Sequence, residues 1–251
     1  MSETTAPVPP SPPVATTRPT HSARRVNAIA ARIGARRYLE IGVSRGETFL
    51  GVQVPERVGV DPRFVFDPAA IASATTRLHA MTSDRFFAEA AGTEPYDIVF
   101  IDGLHVFEQV VRDLTNTLAW TTWRSAILID DTLPSDVYSS HPNRGEAVRL
   151  RHAAGGSGGA WRGDVFKIAF LIHDFFPMLD YRTIVGSGNP QTLAWRAAGP
   201  LRTPLFNSLE RISRLSWFDL QAHREVLRPA PEAEAIALCT EAILARQGLS
   251  F

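Results

Sequence analysis

At 251 residues the chain is long enough for one sizeable domain with its own core, and its 26 basic and 26 acidic side chains cancel, leaving no electrostatic footprint for nucleic acid or an anionic membrane. Hydrophobic residues at 45% and charged residues at 21% are ordinary for a soluble globular protein. The single cysteine, Cys239, excludes an internal disulfide framework and suits a reducing compartment, so a cytoplasmic location is expected.

No apolar run approaches the ~20 residues of a membrane span, and no basic region followed by an apolar block marks a secretory signal. Residues 1–22, "MSETTAPVPPSPPVATTRPTHS", are rich in Pro, Ser and Thr and read as an extended or disordered leader. A domain is expected over 23–199. It opens with a helix in "ARRVNAIAARIGA", whose Val26, Ile29, Ala30 and Ile33 share a face. "RYLEIG" then reads as a strand, "GETFLGVQV" as a short helix and "RVGVDP" as a second strand. "AAIASATTRL" is expected to be helical, "LHAMTSD" a strand, and "RFFAEAAG" a helix stopped near Gly92.

"YDIVFIDG" has the near-continuous apolar run of a strand covered on both faces. "HVFEQVVRDLTNTLAW" is an amphipathic helix with Val106, Val110, Val111 and Leu114 inward, and "SAILIDDTLP" is another buried strand. Past the Gly-rich "AAGGSGGAWRGD", both "VFKIAFLIH" and "TLAWRAAG" read as strands. Residues 200–251 turn helical again and form an extension, whose apolar stripes suit either the monomer core or a homo-oligomer contact. Such alternation predicts an α/β fold, a Rossmann-like doubly wound sheet of about seven strands with helices on both faces.

Ligands of such sheets lie beyond the carboxyl ends of the strands, near the point where strand order reverses. The turn "EIGVSRG" belongs there. Gly42 permits close approach of backbone and Gly46 the turn into the helix, while Asp61 ends the second strand about twenty residues on, where an acid meets ribose hydroxyls. A dinucleotide site would want a third glycine and amides free for a pyrophosphate, which the carboxylate of Glu40 would repel. That acid suits a cationic, phosphate-free ligand such as S-adenosylmethionine. Glu40 as a helix-capping acid is the structural alternative.

The ordered set "LEIGVSRG", "GVDP", "YDIVFIDG" and "ILIDD" resembles the class I S-adenosylmethionine-dependent methyltransferases over roughly Arg37 to Ala197. The resemblance implies that Glu40 and Gly42, with Ser44 and Gly46 of the same turn, lie at the methionine end of the cofactor. It implies Asp61 at the ribose, Ser83 and Asp84 of "TSD" at the adenine, and Asp102 at the edge of the same site.

A second constellation follows. Asp102 ends one strand and Asp130-Asp131 another; if these strands are neighbours their ends lie roughly 5 Å apart and three carboxylates converge and repel, the structural alternative being Asp130 paired with an arginine. A hard cation such as Mg²⁺ would relieve that repulsion. His105, three residues past Asp102, can reach the same cleft as a general base, or it caps the next helix. "FIDGLHVFEQVVRDL", "LIDDTLP" and "WRGDVFK" resemble the macrocin- and mycinamicin-type sugar O-methyltransferases, in which the corresponding acids hold Mg²⁺ and the histidine is the base. That resemblance implies Asp102, Asp130 and Asp131 as metal ligands and His105 as the base. Family analogy extends to mycobacterial methylmannose polysaccharide methyltransferases, and hence to a mannoside acceptor.

His141 in "SSHPNRGE" is a rival base or substrate contact, or an ordinary loop histidine. Trp161, Asp164 and Lys167 are expected as a substrate wall; the structural alternatives are Trp161 as core and Lys167, alternating along a strand, as a rim charge. The expected partner is a small-molecule or oligosaccharide acceptor. The alternatives are a catechol or phenol acceptor, whose paired oxygens would chelate the same metal, and a non-catalytic cofactor-binding module.

Overall fold

The computed structural model describes residues 19–197 and 202–247. Most of the expected leader, and residues 198–201 and 248–251, lie outside the described residues. The first helix, His21–Ile33 (α1), begins just before the expected boundary because Thr20 caps it, its side chain accepting from Ala23 N.

Strands Arg37–Ile41 (β1), Glu56–Asp61 (β2), Thr76–Ala80 (β3), Tyr96–Ile101 (β4), Thr121–Ile129 (β5), Leu179–Val185 (β6), Gln191–Arg196 (β7) and Pro229–Pro231 (β8) form one sheet. Its order is β3-β2-β1-β4-β5-β7-β6-β8. The first five strands are parallel, β7 is antiparallel to both neighbours, and β8 is a short edge on β6, where two prolines are tolerated. Chain order reverses between β1 and β4, which sets the switch point.

Period two splits each apolar run between two cores. Leu39, Ile41, Val99, Ile101, Ile127 and Ile129 point to one face, under Ser83–Glu89 (α3), Phe107–Ala119 (α4) and Lys167–Phe175 (α6). Tyr38, Ile98, Phe100 and Leu128 point to the other, under α1, Glu47–Gly51 (α2) and Glu232–Gln247 (α9). Each fully buried Leu, Ile or Phe here contributes about 1.5–3 kcal/mol. The helical tail covers the sheet: Ala235, Ile236, Cys239 and Ile243 of α9 are buried in the second core. The remaining α-helices among the described residues are Arg144–Ala153 (α5), Leu209–Ser213 (α7) and Trp217–Ala222 (α8). Among the described residues no helix is long and apolar enough to cross a membrane.

Two expected elements differ. "AAIASATTRL" is no helix: a single 3₁₀ turn, Pro68–Ala70, precedes strand β3, whose pairing with β2 outweighs the weak helical pattern of this Thr- and Ser-rich stretch. "VFKIAFLIH" is helix α6 rather than a strand, and the strand of that region is β6. Lys167 through Ile172 are all buried, and a helix apolar all round gives no period by which to tell it from a buried strand.

Candidate active site

A cleft of about 700 Å³ opens over the carboxyl ends of β1, β2, β4 and β5, at the switch point. Its lining includes Gly42, Ser44, Asp61, Ser83, Asp84, Asp102, His105, Asp130 and Asp131, all singled out from the sequence. A smaller recess of about 170 Å³ joins it and is lined by Glu40, Gly42, Ser44 and Asp102.

The first turn is held by Asp61. Ser44 takes a left-handed backbone (φ 49°), and its amide donates to Asp61 Oδ2 at 2.8 Å, while Arg63 N donates to Oδ1 at 2.7 Å. Only a carboxylate offers both acceptors, and each oxygen keeps a lone pair for a ligand hydroxyl. Glu40 is buried and accepts from the Tyr38 hydroxyl at 2.6 Å. Burial pushes its carboxyl up to about 8; the Tyr38 bond works against this and the Asp61 charge adds to it. An acid so placed gains most from a cation in the recess. Gly46 does not line either space; with φ 78° it is the N-terminal cap residue of α2.

At the other end Thr82 caps α3, which presents Ser83 and Asp84. Gln109 of α4 donates to Ser83 Oγ at 3.2 Å and to Asp113 Oδ1 at 3.0 Å. Asp113 is buried in the cleft floor and its Oδ2 is without a partner among the described residues. Burial raises its carboxyl, while bonds from Ser83 and Gln109 hold it back. Neither residue was expected, yet the signal was present: Asp113 is a charge on the same helical face as Val106, Val110 and Leu114.

The acids at the ends of β4 and β5 do converge. Asp102, His105 and Asp131 each offer one ligand atom, all within 4.8 Å of one another. His105 Nδ1 lies 2.7 Å from Asp131 Oδ2, and Nε2 lies 3.7 Å from Asp102 Oδ1. The close contact is off the hydrogen-bonding direction, so the buried Nδ1 has no hydrogen-bond partner among the described residues. Asp131 has a left-handed backbone (φ 58°), and its amide donates to Asp130 Oδ1 at 2.7 Å. The side-chain amide of Asn189 donates to Oδ1 of both Asp130 and Asp131.

Desolvation, then the charges of Asp130, Asp131 and Glu40, push Asp102 well above the usual carboxylate range. Asp130 rises to about 6 through burial and Asp131, opposed by bonds from Asp131 N, Gln191 and Asn189. Arg162 offers a partial counter-charge, its Nε 3.8 Å from Asp131 Oδ1, but its Nη1 is committed to Leu133 O. The crowded carboxylates of Asp102 and Asp131 are the oxygen donors a hard divalent cation fits, and the unpartnered Nδ1 of His105 lies beside them. Asp130 stands outside that three-residue group, turned toward Asn189.

Trp161 stacks on His105, ring centroids 5.0 Å apart and planes within 9°. His141 does not reach the cleft lining; its ring accepts from Asn143 N and its carbonyl accepts from Trp161 Nε1 at 2.6 Å, so it anchors the indole. Asp164 and Lys167 are buried below the cleft and do not line it. Asp164 accepts from Phe107 N at 2.8 Å, and Lys167 Nζ donates to Asp164 Oδ2 and Ser213 O, both at 2.7 Å. These bonds tie the start of α4 to α6, so the pair frames His105 from below.

A depression of about 740 Å³ lies by the amino end of β6 and the carboxyl end of β7, lined by His173, Asp180, Arg202 and Arg228. Its arginines are spent on carbonyls of α6 and on Asp180. Most of the residues singled out from the sequence line the cleft over β1 and β4 instead.

A protein-family model described as a methyltransferase domain matches residues 39–132, a span that runs from β1 through Asp131 and holds most of the cleft lining. No curated protein matches the chain in sequence. Among solved structures, cofactor-bound Rv0187 from MTB aligns with a TM-score of 0.52 at 18% identity, over 73% of this chain and 83% of that one. A protein assigned as a caffeoyl-CoA O-methyltransferase from Staphylococcus aureus aligns with a TM-score of 0.53 at 12% identity, over 70% of this chain and 83% of that one. The O-methyltransferase TomG from Streptomyces achromogenes, in complex with SAM, aligns at 20% identity over 69% and 79% with a TM-score of 0.46. The chain shares its α/β fold with the first two structures, and residues 39–132 carry the match to a methyltransferase domain.

Proposed function

We propose that this chain transfers the methyl group of S-adenosylmethionine to a hydroxyl of a sugar or a glycosylated small molecule. Asp102 and Asp131, with Asp130 beside them, would hold Mg²⁺, and His105 would take the hydroxyl proton. The observation that carries this reading is the meeting of Asp102, His105 and Asp131 at one edge of a cleft that Asp61 lines and whose adjoining recess is lined by Glu40. The methyltransferase-domain match over the same residues supports it.

The donor brings a methyl group on a positively charged sulfur. Glu40 attracts the cationic methionine end into the small recess, and Asp61 accepts ribose hydroxyls on oxygens already fixed by Ser44 and Arg63. Ser83 and Asp84 face the far end of the same cleft, where the base would lie. A bound divalent cation would lower the pKa of an acceptor hydroxyl beside it. His105 then accepts the proton on Nε2, while Asp131 beside Nδ1 stabilises the imidazolium that forms. Trp161, which does not line the cleft, stiffens the ring by stacking on it.

The test is transfer of labelled methyl from S-adenosylmethionine to a panel of mannosides, glucosides, macrolide glycosides and catechols. Label on a sugar hydroxyl supports the reading. Label only on catechols would move the acceptor to the phenol class, and donor binding without transfer to any acceptor would leave a cofactor-binding module.

A further inference from the structure

We propose that Asn189 is a positioning residue for the acid cluster: its neutral amide clamps Asp130 and Asp131 together for a divalent cation, and the buried guanidinium of Arg25 fixes the turn that carries it. The inference rests on the metal reading above and names residues outside the matched domain segment.

The turn between β6 and β7 rises at the carboxyl end of the sheet, beside the end of β5. Asn189 Nδ2 donates there to Oδ1 of Asp130 and of Asp131, one donor to each carboxylate. The choice of side chain matters. A lysine or arginine at this place would neutralise the acids and displace a cation, whereas an amide draws the two carboxylates together and leaves their charge in place. Without it, two like charges held side by side would spread.

The turn is held from behind. Arg25 of α1 is fully buried, and its Nη1 donates to Asn189 O and to Gln191 Oε1, both at 2.6 Å. Its Nη2 donates to Ser187 O, and its Nε to Glu232 Oε2 at 3.0 Å. Glu232, at the start of α9, is opposed by burial, yet bonds from Arg24, Ser187 and Arg25 bring its carboxyl down to about 2. A guanidinium is costly to bury, and here every contact it makes fixes the turn or anchors it to α9. Asn189 itself is only half-buried in a surface turn, so its truncation leaves the core intact.

The experiment measures Mn²⁺ binding by wild type and Asn189→Ala, by calorimetry and by the paramagnetic signal of free Mn²⁺, beside S-adenosylmethionine affinity and apo melting temperature. The expected result is a Kd for Mn²⁺ raised about tenfold or more, as for other residues that orient ligands, with donor affinity and melting temperature unchanged. Equal Mn²⁺ affinity in the two proteins would overturn the clamp and leave the metal reading standing. A parallel fall in Mn²⁺ affinity, donor affinity and melting temperature would make Asn189 merely structural. Absence of Mn²⁺ binding to wild type in the millimolar range would overturn the metal reading and the clamp with it.

Discussion

The carbonyl oxygen of Asp102 occupies the place where a side chain on Gly42 would stand: a Cβ on Gly42 would lie 1.9 Å from that oxygen, and φ there is +90°. The glycine of the first turn therefore serves a contact between strand ends as well as any ligand. Gly42→Ala would have to force β1 and β4 apart at the cleft. We expect a loss of about 3 kcal/mol or more in chemical denaturation, together with loss of donor binding. Near-wild-type stability would contradict the packing argument.

Glu40 should give the protein a pH signature. Its carboxyl stands at about 8 in the folded state against an ordinary 4.5, so the folded chain holds the extra proton between those values. Folding stability from this group is greatest below 4.5, falls as pH rises through the window, and levels off above about 8. Glu40→Gln should flatten that part of the stability profile. Binding of a cationic donor near pH 7 should ionise Glu40 and release up to one proton, read by calorimetry in buffers of different ionisation enthalpy.

His105→Gln should lower kcat by about 10²–10⁴ while leaving the affinity for S-adenosylmethionine within a few-fold. A pH–rate profile that loses its lower limb in the variant would assign the base. An unchanged kcat would remove His105 from proton transfer.

Lys167→Met should be more damaging than its distance from the cleft suggests. It leaves the buried carboxylate of Asp164 without its cation, at a cost of about 3–5 kcal/mol, and loosens the amide of Phe107 at the start of α4. The double variant with Asp164→Asn should recover part of that stability. Equal destabilisation by the single and double variants would argue against the pair.

The strand ends were legible in the sequence because each is marked by an acid or a glycine after an apolar run, and such ends meet at one edge of a parallel sheet. Glu40, Asp61, Asp102 and Asp131 could be placed on that basis alone. Lys167 could not: inside an unbroken apolar stretch, strand and buried helix have the same pattern, so its expected place at a substrate wall became a buried ion pair in α6. Asn189 and Arg25 were hidden for a different reason. They act across 164 positions of chain, and one of the contacts passes through a backbone carbonyl that no residue type announces. Asp113 was visible as a charge on an apolar helical face, but its ring of partners, Gln109 and Ser83, needed the packing of α3 against α4.

The most direct measurement is labelled-methyl transfer to the best acceptor by metal-stripped protein, with and without restored Mg²⁺, beside Asp131→Asn. Transfer should require the metal, return when Mg²⁺ is restored, and be lost in the variant at every Mg²⁺ concentration. Full transfer by metal-stripped wild type would contradict the role given to Asp102, Asp130 and Asp131, and would leave His105 to act unaided.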